Sequence, residues 1–135
     1  MDGRMADLEK TEKITINLGL VDLGQIDLLV QEGFYANRTD FIRSAIRTQL
    51  STRAASVEQS AARRTLVVGS AHFTRPQLEE LQRAGQTVQI RVLGLATIAA
   101  DVSPKLALQT IASVEVLGAF RAPAAVKAAL ASRVV

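Results

Sequence analysis

Few side chains in this 135-residue sequence have types and spacing suited to covalent or metal chemistry. Cysteine is absent and His72 is the one histidine, so there is no thiolate nucleophile, no disulfide and no zinc ribbon, and little material for a histidine-based metal site. Ser70 lies two residues before His72, but a catalytic triad also needs a placed acid and an oxyanion site, which have no signal here. We therefore predict no catalytic residue, no metal ligand and no cofactor, and we do not expect an enzyme.

Basic side chains are concentrated in one short part of the chain. The whole sequence has 16 Lys and Arg against 13 Asp and Glu, a net charge of +3, which alone does not identify a nucleic-acid binder. Position is more informative, because Arg38, Arg43, Arg47 and Arg53 lie close together. Positive charge is therefore concentrated in this stretch, between Arg38 and Arg53.

Hydrogen-bonding and apolar side chains alternate just upstream of these arginines. Period-two alternation with β-branched residues is typical of a strand with one buried face. The outward set is Lys13, Thr15 and Asn17, and the inward set is Ile14, Ile16 and Leu18. The alternation by itself favours the solvated face of an edge ribbon over a binding surface.

Two helices are predicted after this strand. Asp22 and Gln25 have capping-box spacing, and Val21 and Ile26 have the spacing of a hydrophobic staple, so the first helix is expected to begin at about Leu23. Gly33 is its expected stop.

The second helix has its own start signal. Asn37 is the expected N-cap and Asp40 lies in the first turn. Apolar residues then recur at helical spacing to about Thr52.

A strand that stands alone in this order cannot pair its backbone or bury its apolar face. Pairing with the same strand of a second chain solves both problems. The unit is therefore predicted to be an obligate dimer.

The order of strand, helix, turn and helix over residues 13–52 resembles the ribbon-helix-helix DNA-binding family, in particular its CopG-like members. The resemblance is carried by the run from Lys13 to Leu18, by a helix that ends at Gly33 and by the segment N-R-T-D-F-I-R-S-A-I-R from Asn37. It implies a dimeric antiparallel ribbon that enters the DNA major groove.

The resemblance also implies roles for individual residues. Base contacts are expected from Lys13, Thr15 and Asn17, whose side chains can hydrogen-bond to base edges. Phosphate contacts are expected from Asn37, Arg38 and Thr39 at a helix start. The expected dimer core is Ile14, Ile16, Leu18, Ile26, Phe41, Ile42 and Ile46. For Arg43 and Arg47 two roles are open, contact with DNA phosphate and pairing with Asp27, Glu32 or Asp40 of either subunit.

The rest of the chain contains a weak repeat. A glycine follows a β-favouring run at Gly69, Gly94 and Gly118, at intervals of 25 and 24 residues. The twelfth position after each glycine is leucine, and a proline lies near each expected helix start: Leu81, Leu106, Leu130, Pro76, Pro104 and Pro123. Three units of strand, turn and short helix indicate a small solenoid-like stack. The alternative is a compact α/β domain with unrelated Val-Leu-Gly turns.

The predicted architecture is therefore α+β in two domains. Residues 1–12 form a flexible tail, residues 13–53 the ribbon-helix-helix (β-α-α) domain, residues 54–64 a linker or helix extension, and residues 65–135 a β/α repeat domain for oligomerisation. The N-terminal residues are neither a signal peptide nor an anchor, and no apolar run is long enough for a membrane span. We expect the protein in the cytoplasm, associated with the nucleoid.

The function predicted from the sequence is that of a sequence-specific transcriptional regulator and repressor. Its expected partners are double-stranded DNA and itself, as a homodimer, a tetramer or a higher oligomer, with a protein partner through residues 65–135 as a further option. An antitoxin is one rival, although antitoxins commonly end in a segment that folds on the toxin. A self-assembling, DNA-associated scaffold protein is the other.

Overall fold

A computed structural model describes residues 10–135 of the chain. It divides the described chain into two compact units, Thr11–Ser60 and Ala61–Val135. Most of the tail predicted at residues 1–12 lies outside the described residues. The boundary between the units falls within the segment 54–64, for which a linker or a helix extension was expected, and residues 54–63 of that segment are helical.

The first unit is built from helices. They are α1 (Leu20–Gln31), α2 (Arg38–Thr52) and the start of α3 (Ala54–Arg63), which continues past the unit boundary. Residues 11–19, which include the predicted strand, form neither helix nor strand in the single chain. A strand is defined by hydrogen bonds to a neighbouring strand, and Thr11–Ser60 contains no other strand to supply them.

Helix α1 begins three residues before the predicted start. Its N-cap is Gly19, which makes no side-chain capping hydrogen bond, and the Gly19 carbonyl already accepts from the Leu23 amide at 3.0 Å. Asp22 is thus inside the first turn and is not the cap. The predicted staple is also wrong, because Val21 is exposed while Ile26 is buried.

The end of α1 and the start of α2 follow the sequence signals. Gly33 has a φ of +86°, a conformation that costs glycine little, and its amide donates to the Val30 carbonyl at 3.1 Å. The Asn37 side chain accepts from the Asp40 amide at 2.8 Å. The predictions of Gly33 as stop and Asn37 as cap are confirmed.

The second unit alternates strands with helices. Its elements are β1 (Val67–Phe73), α4 (Arg75–Ala84), β2 (Val88–Ile98), α5 (Pro104–Thr110), β3 (Ile111–Arg121), α6 (Ala124–Leu130) and a 3-10 turn at Ala131–Arg133. The strands form one parallel sheet in the order β1-β2-β3. The described residues thus contain six α-helices and a three-stranded sheet, and none of these helices has the length and apolarity to cross a membrane.

The three repeated glycines lie side by side across this sheet. Gly69 pairs with Gly94, and Gly94 pairs with Gly118. A Cβ on Gly94 would lie 2.1 Å from the Gly69 carbonyl oxygen, and a Cβ on Gly118 would lie 2.1 Å from that of Gly94. The strands therefore continue through the glycines, whose lack of a side chain allows this close backbone approach.

The core lies between one face of the sheet and the helices. Alternate residues of β2 are buried, and each helix contributes a large apolar side chain to the same cluster. The principal buried residues are Leu78, Ile90, Val92, Ala96, Leu106, Ile111, Val114, Val126 and Leu130. Pro76 and Pro104 lie in the first turns of α4 and α5, and Pro123 is the N-cap of α6, where the missing amide has no cost.

Replacement of Gly94 by alanine should destabilise the second unit by about 3 kcal/mol, because it adds a backbone clash to the strain of a φ of +138°. Gly69→Ala is the matched control, since Gly69 has a φ of +122° but no atom within 4 Å of an added Cβ. Urea unfolding should rank the variants as wild type, Gly69→Ala and Gly94→Ala in falling stability. Equal losses for the two variants would show that the close approach contributes nothing.

Candidate nucleic-acid interface

Apolar side chains before α1 are uncovered in the single chain. Ile14 is 75% exposed, Ile16 60% and Leu18 38%. These are the residues predicted to face inward from the strand. Exposed apolar groups in this number and order are costly in water and typical of a surface that another chain covers.

Most of the apolar surface of α1 and α2 is likewise uncovered. Ile26 is the one buried residue of Thr11–Ser60, and Phe41 and Ile42 are half-buried while Ile46 is exposed. A cavity of about 330 Å³ lies between the helices, lined by Leu18, Asp22, Gln25, Ile26, Leu29 and Phe41. Three of the predicted dimer-core residues, Leu18, Ile26 and Phe41, therefore line an apolar groove that the single chain leaves open.

The first turn of α2 presents free backbone amides. Asn37 accepts hydrogen bonds from two of the first four amides of the helix. Its side-chain oxygen accepts from the Asp40 amide, and its carbonyl accepts from the Phe41 amide. The amides of Arg38 and Thr39 have no intrahelical acceptor, as at any helix start. They point out of the helix at its positive end, which favours an anion such as phosphate.

The side chain of Arg38 is held by a neighbour on α1. Its Nε lies 2.8 Å from one carboxylate oxygen of Asp27 and its Nη2 lies 2.9 Å from the other. This two-pronged hydrogen bond lowers the pKa of Asp27 from its ordinary value of 3.8, helped by the charge of Arg38 and opposed by desolvation. It also raises the pKa of Arg38. Both side chains are about half exposed, so the guanidinium is oriented at the surface next to the helix start.

The other charged candidates lie on the surface. Arg43 and Arg47 are exposed and form no ion pair within the described residues. Of the three pairing partners considered for them, Asp27 is taken by Arg38, and the Asp40 carboxylate accepts from the Ala36 amide at 2.9 Å. Lys13, Thr15 and Asn17 are all exposed.

Several residues of this region carry no clear signal in the sequence. Tyr35 packs edge-to-face on Phe41, with ring centroids 5.0 Å apart. The pairing of Asp27 with Arg38 joins residues eleven positions apart, a spacing that no periodic rule connects. Exposed Leu28 and Phe34 extend the apolar surface beyond the predicted core set. Helical periodicity could have identified Leu28, but the contacts depend on how α1 and α2 cross.

The second unit has a polar cleft of about 340 Å³, lined by residues that include Arg75, Glu79, Asp101 and Lys105. Arg75 lies 3.9 Å from Glu79 and 3.7 Å from Asp101, so the charges compensate one another. No group of three or more His, Asp or Glu side chains suited to a metal ion occurs among the described residues. The cleft therefore has no marked preference for a charged ligand.

Comparison with protein families assigns the chain. Residues 9–127 match the model of the Ribbon-Helix-Helix transcriptional regulator family. The chain belongs to this family, and the resemblance noted over residues 13–52 is confirmed. The match also extends through most of the repeated strands and helices. No curated protein and no solved structure matches the chain. The family identifies a DNA-binding transcriptional regulator.

The Asp27–Arg38 pair can be tested by titration. Because the folded-state pKa of Asp27 is lowered, the stability contributed by the pair is present above the ordinary pKa of 3.8 and lost as the pH falls through the lowered value. Arg38→Ala should return the pKa of Asp27 towards its ordinary value in an NMR titration of the carboxyl carbon. Arg43→Ala, which removes an unpaired arginine, should leave the pKa lowered, and a return in both variants would argue against a specific pair.

Proposed function

We propose that the protein is a sequence-specific repressor that binds DNA as a homodimer in the cytoplasm. Residues 13–18 of two chains form an antiparallel ribbon that lies in the major groove, and the start of α2 in each chain contacts the flanking phosphates. The observation that carries this proposal is the exposed apolar surface of Thr11–Ser60, a unit in which only Ile26 is buried.

Dimer formation follows from the size of this unit. A unit of about fifty residues is marginal in stability, and this one buries only Ile26, so little apolar burial offsets the conformational entropy lost on folding. Two copies that place Ile14, Ile16 and Leu18 against the groove between α1 and α2 would supply the missing contacts. Two unpaired strands would satisfy each other's backbone at the same time.

The outward side chains of the ribbon then supply sequence readout. Lysine donates to the acceptors of guanine, asparagine can form two hydrogen bonds with adenine, and threonine can hydrogen-bond or contact a thymine methyl. Lys13, Thr15 and Asn17 are exposed and alternate with the apolar residues, so dimerisation through one face leaves the other free for DNA.

The start of α2 supplies the contacts that position the protein. The amides of Arg38 and Thr39 offer hydrogen bonds to a phosphate, while Asn37 acts by holding the helix start in shape through Asp40. Arg38 adds a charge beside these amides. The hydrogen bonds to Asp27 orient the Arg38 guanidinium. In the complex, Asp27 and the phosphate share this guanidinium. Such contacts contribute affinity and carry no sequence information.

Residues 65–135 are proposed to mediate oligomerisation or to bind a protein partner. Six outward ribbon side chains read a short DNA site, and specificity of that kind gains from additional contacts between bound molecules. The parallel sheet supports this role, since the strands of parallel sheets are usually covered on both faces, while Val68 and Leu117 are exposed on the face opposite the core.

Ile16→Asp should abolish the dimer, because it places a charge in the centre of the proposed ribbon interface. Light scattering should report a fall from twice the 14.5 kDa chain mass to the mass of one chain. Thr15→Asp is the matched control, because it introduces the same charge one residue away on the outward face. It should keep the dimer and weaken DNA binding. A dimer that persists in Ile16→Asp would refute the ribbon interface.

The two kinds of DNA contact should respond differently to substitution. Asn17→Ala should cost about 1–3 kcal/mol of discrimination at particular base pairs.

Arg38→Ala should weaken binding to every sequence and reduce the slope of log K against log salt by about 1. Salt-titrated binding to selected and random DNA measures both quantities, with Lys105→Ala as a charge control in the second unit. Unchanged sequence preference in Asn17→Ala, with the dimer intact, would exclude ribbon readout.

A further inference from the structure

The sheet of the second unit has one unprotected edge. β1 pairs with β2 on one side and, within the described residues, with no strand on the other. Its sequence, V-V-G-S-A-H-F, has none of the lysines, prolines or acidic residues that normally keep edge strands from pairing. The outer edge of β3 differs, since β3 contains Glu115 and Arg121. The start of that edge is covered by Val134, which bridges to Val114.

Apolar side chains are exposed on both faces of the sheet at this edge. Val67 shares a row with Val92 on the helix-covered face, yet Val67 is 58% exposed and Val92 is 2% exposed. Val68 lies on the opposite face and is 70% exposed. A second sheet stacked on the face opposite the core would cover Val68 but not Val67. A strand added beside β1 would cover both valines and pair the free backbone.

We propose that the β1 strands of two copies of this chain pair with each other in antiparallel orientation and join two three-stranded sheets into one six-stranded sheet. A register centred on Ser70 pairs all seven residues of each strand, with Val67 opposite the partner strand's Phe73. The contact is symmetric, so it closes after two copies and leaves no free β1 edge. This inference rests on the proposed homodimer and assigns residues 65–135 a contact between its two chains.

The size of the contact indicates what occupies it. Seven residues at about 3.3 Å per residue give a ladder of about 23 Å, and one such strand pair buries well under the roughly 1,200 Å² of a stable interface between free molecules. The occupant must therefore already be held nearby. The second chain of the ribbon dimer meets this condition, because each second unit is covalently attached to one chain of that dimer, which makes the β1 contact intramolecular within the dimer.

Single cysteines can test the pairing in the full chain, because the sequence contains none. Directly opposed residues of antiparallel strands have Cβ atoms about 4.5–5.5 Å apart, close to disulfide geometry. Ser70→Cys should therefore form a covalent dimer under mild oxidation on a non-reducing gel. Ala119→Cys, in the same row of the sheet but on β3, should remain single-chain, with thiol accessibility checked by a small reagent.

A third variant separates failure of this inference from failure of the proposed function. Thr15→Cys, in the proposed ribbon, reports on ribbon pairing alone. A cross-link through Thr15→Cys without one through Ser70→Cys would overturn the β1 contact and leave the ribbon dimer intact. Absence of a cross-link in both Thr15→Cys and Ser70→Cys would overturn the ribbon dimer and the β1 contact together. A mixed disulfide between Ser70→Cys and Ala119→Cys chains would instead indicate head-to-tail growth and would also overturn the inference.

A pair of lysine substitutions tests the specificity of the cross-link. Val68 and Leu117 lie in one row on the same face, at opposite edges of the sheet. In the Ser70→Cys background, Val68→Lys should abolish the cross-linked species and Leu117→Lys should retain it, with both variants folded by circular dichroism. Equal loss in both would indicate face-to-face stacking of sheets, and retention in Val68→Lys would indicate chance collision. Either result contradicts strand pairing.

Discussion

The first fifty described residues are held to a single physical constraint, which is that they cannot bury their own apolar side chains. Only Ile26 is buried in Thr11–Ser60, while the side chains before α1 and along both helices remain in contact with water. A unit of this size has too little interior to offset the entropy of ordering its chain. In the proposed homodimer, a second chain supplies the missing half of the core.

The second unit meets the same constraint within one chain. Each strand is followed by a helix that returns across one face of the sheet, and Leu78, Leu106 and Leu130 enter a common core. The strands pack closely at Gly94 and Gly118. A side chain at either position would collide with the carbonyl oxygen of the paired glycine on the neighbouring strand. What remains uncovered is the outer edge of β1 and part of the opposite face, and both lie where a further chain could add.

Charge has a smaller and more local role than the net value of +3 suggests. Arg38 is tied to Asp27, and Asp40 is engaged with the Ala36 amide at the start of α2. The local field at this helix start therefore combines the backbone amides and the Arg38 guanidinium with the opposing carboxylates of Asp27 and Asp40. This arrangement suits phosphate contact without a large basic surface. In the proposed complex, discrimination among sequences comes from the outward side chains of the ribbon.

Features that depend on a few neighbouring residues could be predicted from the sequence. The Asn37 cap and the Gly33 stop are of this kind, because each is decided by hydrogen bonds within one turn. The spacing of Gly69, Gly94 and Gly118 was also readable, since strands of similar length stacked in parallel bring equivalent positions into one row. The family of the regulator followed from such local patterns.

Only the tertiary structure decided the features that depend on distant or missing partners. α1 begins at Leu20 because its first turn closes on the Gly19 carbonyl, which outweighs the capping signal at Asp22. The Asp27–Arg38 pair arises from the packing of α1 against α2, and the strands run through their glycines because the neighbouring backbone leaves room for nothing larger. Residues 13–18 carry the pattern of a strand, but a strand forms only when a second strand accepts its hydrogen bonds, and a single chain does not provide one.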